Sequence, residues 1–178
     1  MNSAYNKMLK DSKGGIYDKT LLPIDFQAFQ MNKFIFNNSS LNAKQVQALK
    51  GDFETYEYDV KNCGENPFNH FIVDLDKMRL DETLASNPHL TSAQTQLLKK
   101  DFEQEKSNLN DVDALIIYSA KSEKDTLETV YPLTQAQKDS LDKAYTTVYN
   151  GQSGNLETDY SKFKLLAEQI ETEHSKSQ

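Results

Sequence analysis

Leu90-Thr-Ser-Ala-Gln94, running on through Leu98 to Lys99-Lys-Asp-Phe-Glu103, is the stretch whose reading decides the fold. The phrase stands earlier as Leu41-Asn-Ala-Lys-Gln45, with Leu49 and Lys50-Gly-Asp-Phe-Glu54 behind it. It returns as Leu133-Thr-Gln-Ala-Gln137, followed by Leu141 and Ala144-Tyr145. Threonine or asparagine three residues ahead of glutamine makes a capping box: the short side chain accepts an amide hydrogen bond from the first turn, and the glutamine reaches back. A leucine one turn past the glutamine shares its helix face. The phrase therefore marks three helix starts, and its recurrence at offsets of about 43 to 49 residues marks a reused supersecondary unit.

Apolar spacing extends the helices outward from these starts. Val46, Leu49, Phe53, Tyr56 and Val60 alternate in steps of three and four, a stripe four turns long with Gly51 inside it. Ahead of it, Pro23 suits the first position of a helix over 23–38 whose Ile24, Phe26, Phe29, Met31, Phe34, Ile35 and Phe36 leave almost no polar side. Residues 68–86 carry Phe71, Ile72, Leu75, Met78 and Leu80 at helical spacing, with a short strand over 71–75 as the alternative. Asn87-Pro88 breaks the chain, and Leu97, Leu98 and Phe102 belong to a helix over 91–107. Val112, Leu115, Ile116, Ala120, Leu127 and Val130 predict a helix over 111–131; Leu141, Ala144, Tyr145 and Val148 predict one over 134–149. Asn150-Gly-Gln-Ser-Gly154 reads as a linker to a last helix with Phe163, Leu166, Ala167 and Ile170 inside. A short helix over 3–12, stopped by Gly14-Gly15, precedes them all.

Each phrase follows closely on the end of another helix, so the expected unit is a helical hairpin. The expected fold class is all-α: three hairpins, 23–62, 68–107 and 111–149, plus terminal helices, forming an elongated bundle or a short α-solenoid-like array. The domain reading is an N-terminal helix and linker over 1–22 and one helical domain over 23–178, closed by a C-terminal helix at 158–174.

The repeated phrase, quoted above, resembles the helix-start motif of a family of small periplasmic helical chaperones. That resemblance implies a cradle-shaped helical dimer that shields unfolded clients. It covers three stretches of about five residues, and Asn42 stands where the family has threonine. The phrase also resembles the opening of the first helix in calcium sensors, but no Asp-x-Asp-x-Asp-Gly loop follows it. Capping chemistry by itself accounts for every residue in it.

Composition narrows the function classes. The 178 residues carry a formal charge of −7, and of 20 basic residues Arg79 is the single arginine. Nucleic-acid binding needs clustered cations and favours the forked guanidinium, so direct nucleic-acid contact is not expected. The mean hydropathy of −0.73 suits thin helical layers with much wet surface. No run of about 18 apolar residues can span a bilayer. The N-terminal Met-Asn-Ser-Ala-Tyr-Asn-Lys-Met lacks the layout of a signal peptide, which makes the cytoplasm the default location. An exported cell-envelope domain whose leader has been removed is the alternative.

Chemistry-bearing residues are sparse. Cys63 is the one cysteine, so internal disulfides and cysteine metal sites are excluded, and its acidic neighbours Asp59 and Glu65 work against a reactive thiolate. His70 and Asp74 lie one turn apart on a predicted helix face with Asp76 near, but no third ligand is apparent, and no cofactor or metal is expected. The acids Asp101, Glu103, Glu105, Asp111 and Asp113 alternate with lysine and asparagine, the pattern of a solvated face. No phosphate loop, Gly-x-Ser-x-Gly or His-Glu-x-x-His occurs. The expectation is a non-enzymatic helical protein-interaction module, of adaptor or acidic-inhibitor type, whose partner is another protein with a basic surface. Its candidate partner-binding residues are Phe29, Phe36, Tyr118, Tyr131 and Tyr149. Two other readings stand beside it: an exported or membrane-tethered binding protein with chaperone-like activity, and a hydrolase using His70 with nearby carboxylates.

Overall fold

The computed structural model describes residues 21–62, 67–151 and 154–175. The helix expected over 3–12, its Gly14-Gly15 stop and Cys63 lie outside these residues. Every regular element among the described residues is an α-helix: α1 Leu21–Asn37, α2 Ala43–Asn62, α3 Pro67–Ser86, α4 Ser92–Lys106, α5 Val112–Val130, α6 Gln135–Asn150 and α7 Leu156–Ser175. The all-α reading holds, and residues 71–75 are helical turns of α3 rather than a strand. The described part of α1 already includes Leu21 and Leu22, so Pro23 is not its first residue.

All three phrases are capping boxes. The Asn42 side chain accepts the Gln45 backbone N–H at 3.0 Å, and the Asn42 N–H donates to Gln45 Oε1 at 2.9 Å. Thr91 with Gln94 and Thr134 with Gln137 repeat the exchange. The leucine one turn later is buried in each copy: Leu49, Leu98 and Leu141. The residue two turns beyond it is also fully buried, although its chemistry changes from Tyr56 to Glu105 to Val148.

Helix ends follow equally local rules. Asn38 and Asn87 each stand three residues before the phrase's leucine, and each donates its side-chain amide back to the carbonyl one turn earlier, Phe34 and Thr83, at 2.8 Å. That satisfies an acceptor which the helix end leaves without a partner. Tyr131 turns extended ahead of Pro132 and ends α5. Gly151 ends α6 in the left-handed region, φ 57°, where a side chain would be strained.

The helices group into two units that divide between Pro88 and His89, within the stretch read from sequence as one helical domain over 23–178. In the first, α1 packs on α2 and α2 on α3; its core is Ile24, Met31, Leu49, Tyr56 and Met78, flanked by Phe34, Ile35, Leu41, Phe53, Val60, Phe71 and Leu75. In the second, α4 packs on α5, and α5, α6 and α7 pack on one another. Leu98, Phe102, Leu115, Ile116, Ala120, Leu127, Leu141, Val148, Phe163, Ala167 and Ile170 are buried there.

The most extensive pairings are α2 with α3, α4 with α5, and α6 with α7. Each phrase thus opens the first helix of a closely packed pair, whereas the sequence pattern was phased with each phrase closing one. The helices of 23–62 and 111–149 also touch, while those of 68–107 fall in different units. The physical reason is that apolar spacing within a helix says which face is buried but not which neighbouring helix covers it.

Candidate functional site

Among the described residues of the first unit, the groups whose proton affinity is clearly displaced all lie at the α2–α3 seam. Asp52, Tyr56 and Asp59 recur on α2 at steps of four and three; His70, Asp74, Lys77 and Asp81 recur on α3 at steps of four, three and four. Such spacing aligns each set along one helix face, and the helices run antiparallel so that the two rows meet. At one end His70 Nδ1 lies 3.3 Å from Asp59 Oδ2. At the other, Lys77 Nζ bridges Asp52 Oδ1 at 3.2 Å and Asp81 Oδ2 at 2.9 Å.

Burial governs how these groups hold protons. Desolvation pushes the Asp74 carboxyl up to about 7, with the charge of Asp59 adding to the effect and His70 opposing it. Asp52 is pushed up to about 6, again mainly by burial, with Lys77 pulling the other way. Burial also works against the Lys77 charge, but the carboxylates of Asp81 and Asp52 outweigh it and raise its pKa. Tyr56 is pushed up to about 12 by burial and by Asp74. Its ring sits 5.5 Å from that of Phe71, between the apolar core and this polar row.

The second unit repeats the ionic bridge. Lys121 on α5 pairs with Asp101 on α4 and with Asp125 on its own helix at 2.8 Å. Asp101 holds the same place in its phrase as Asp52, and Lys121-x-x-x-Asp125 matches Lys77-x-x-x-Asp81. Burial raises the Asp101 pKa against the pull of Lys121. Elsewhere in this unit Lys164 of α7 pairs with Glu123 of α5, and Ser119 Oγ shares a 2.7 Å hydrogen bond with Tyr160 OH. A cleft of about 280 Å³ between α6 and α7 is lined by Ser140, Lys143, Ala144, Thr147, Asp159, Lys162 and Phe163.

The candidate contact residues are spread over both units. On α1, Phe29 is half-buried and Phe36 is 71% exposed. Tyr118 is half-buried on α5, and Tyr131 stacks on His174 with ring centroids 5.1 Å apart. Tyr149 is exposed near the end of α6, 6.1 Å from the Tyr145 ring. Four further apolar side chains, outside that set of candidates, are exposed: Phe26, Tyr58, Leu97 and Leu165. Phe26 was legible in part, since it lies seven and ten residues from Lys33 and Phe36. At 100° per residue, Phe26, Phe29, Lys33 and Phe36 occupy an arc of about 80° on α1, opposite buried Ile24 and Met31.

Among the described residues, no three His, Cys, Asp or Glu side chains are placed to hold a metal ion. No described helix is long and apolar enough to cross a membrane. Asp74 can hold and release a proton within the α2–α3 seam, and the outer arc of α1 can bury aromatic area. No protein-family model, curated protein or solved structure matches this chain.

Proposed function

We propose that the protein is a helical interaction module of the adaptor type, which binds another protein through the outer face of α1. What supports this reading is the two-sidedness of that helix. Its inner side supplies Ile24 and Met31 to the core, while its outer side holds Phe26 at 46% and Phe36 at 71% exposure. Full burial of a phenylalanine is worth roughly 1.5–3 kcal/mol, of which Phe36 forgoes the larger part and Phe26 about half. Aromatic side chains that become buried in a complex recover that energy and anchor interfaces. The excess of seven negative charges favours a partner with basic residues around the apolar contact.

A photo-crosslinking residue at position 36, compared with one at Glu54 on α2, tests the reading in the protein's own cells. The expected result is one adduct of defined mass from position 36, abolished by Phe26→Ser and absent from position 54. Equal labelling from both positions, or no adduct from position 36, refutes it.

A further inference from the structure

We infer that Asp59, His70 and Asp74 form a proton-operated latch across the α2–α3 seam, closed while Asp74 holds its proton and loosened when it gives it up. The inference rests first on placement. Asp59 reaches across from α2 to His70, its Oδ2 lying 3.3 Å from the imidazole Nδ1. Asp74, one turn further along α3, stands within hydrogen-bonding reach of the same Asp59. Its Oδ2 is buried with no hydrogen-bond partner among the described residues. Two carboxyls from facing helices thus share one small space, and a proton between them supplies the donor that neither carboxylate has.

Among the described residues, the groups that act on Asp74 include no cation of permanent charge. From α2 it faces Asp52, Tyr56 and Asp59; on its own helix it faces His70. Lys77 is engaged by Asp52 and Asp81. Loss of the Asp74 proton therefore places a second negative charge beside Asp59. Burial and these neighbours hold the Asp74 carboxyl near 7, within the range where such a change is physiological.

The second unit has the ionic bridge without the latch. Counting from the shared Asp-Phe-Glu and Lys-x-x-x-Asp anchors, Asn108 takes the place of Asp59, Ala114 that of His70, and Tyr118 that of Asp74. The α4–α5 seam is therefore an internal reference within the same chain. Tyr56 carries the effect inward, because it belongs to one core cluster with Ile24 and Met31 of α1. The latch does not depend on what α1 binds.

The sign follows from linkage. A native carboxyl pushed up to about 7 binds more protons than the unfolded chain between its ordinary value and 7. Stability of the first unit therefore falls as pH rises through that window and levels off above it. Because Asp74 is only half-buried, solvent screening trims the full effect to roughly a tenfold change in local opening.

Carboxyl carbon-13 NMR on the full chain, with hydrogen exchange at pH 5.5 and 8.5 corrected for intrinsic rates, tests the latch. Asp74 is expected to titrate near 7, and amides 70–78 of α3 to lose about tenfold in protection at the higher pH relative to α5. Asp74→Asn should remove that difference and Asp59→Asn should diminish it, while Glu54→Gln on the exposed side of α2 should leave it intact. Titration of Asp74 below pH 5 overturns the inference, as does equal pH response of the two seams or an undiminished response in Asp74→Asn.

Discussion

Replacing Lys121 with methionine should be among the most damaging changes of a polar residue in the second unit. Asp101 is 2% exposed and pairs with Lys121, which also holds Asp125. Methionine keeps much of the side-chain volume while removing the charge, so the loss is electrostatic rather than a cavity. Stranding one member of a fully buried pair costs about 3–5 kcal/mol. Lys121 is itself a third exposed, so water reaches the site and the expected cost is about 2–4 kcal/mol. The matching Lys77→Met change should cost about half as much, since Asp52 is more accessible than Asp101. Burial already raises the Asp101 pKa, and losing Lys121 raises it further. The penalty must therefore shrink as pH falls and Asp101 takes up its proton. Urea unfolding followed by far-ultraviolet circular dichroism at pH 7 and pH 4.5 measures all three quantities. A cost under about 1 kcal/mol at pH 7 refutes the reasoning. So does a double variant Asp101→Asn/Lys121→Met no more stable than Lys121→Met alone.

Two further outcomes test the repeated unit. Leu49→Ala, Leu98→Ala and Leu141→Ala should each cost about 2–5 kcal/mol in the unit that holds them, because all three are at most 1% exposed. A cost below about 1 kcal/mol at any of them, again by urea unfolding, would separate that copy from the others. Thr91→Ala and Thr134→Ala should each cost about 1 kcal/mol, with Thr→Ser nearly neutral. Faster amide exchange should appear first at Gln94 and Gln137, whose N–H groups the threonines accept.

The recurrence of Asp-Lys-Asp in both units explains why Lys-x-Asp-Phe-Glu persists in two copies and not in the third. In the first two pairs the aspartate faces a lysine of the following helix. In the third, Ala144 takes its place, and the α6–α7 cleft opens beside it. The phenylalanine or tyrosine one residue on keeps its aromatic character throughout. The repeat thus conserves a packing register while its polar contents change: tyrosine, glutamate and valine all serve at one buried position.

Much of this molecule was legible from its residues. Asn42, Thr91 and Thr134 marked their helix starts because a capping box closes within four residues and needs no tertiary partner. The stripe from Val46 to Val60 declared a helix for the same reason, and Asn38 stops α1 by the same local hydrogen bond that Asn87 makes at the Asn87-Pro88 break. His70 and Asp74 could be placed on one face, but the Asp59 that completes their cluster lies on another helix. Local spacing contains no term for that distance. Which neighbour each capped helix embraces, which carboxyls lose their water, and which side of α1 keeps its aromatics in solvent were likewise settled by tertiary packing. Helix formation is written in contacts three and four residues apart; pairing, burial and proton affinity depend on residues that only the folded chain brings within a few ångströms.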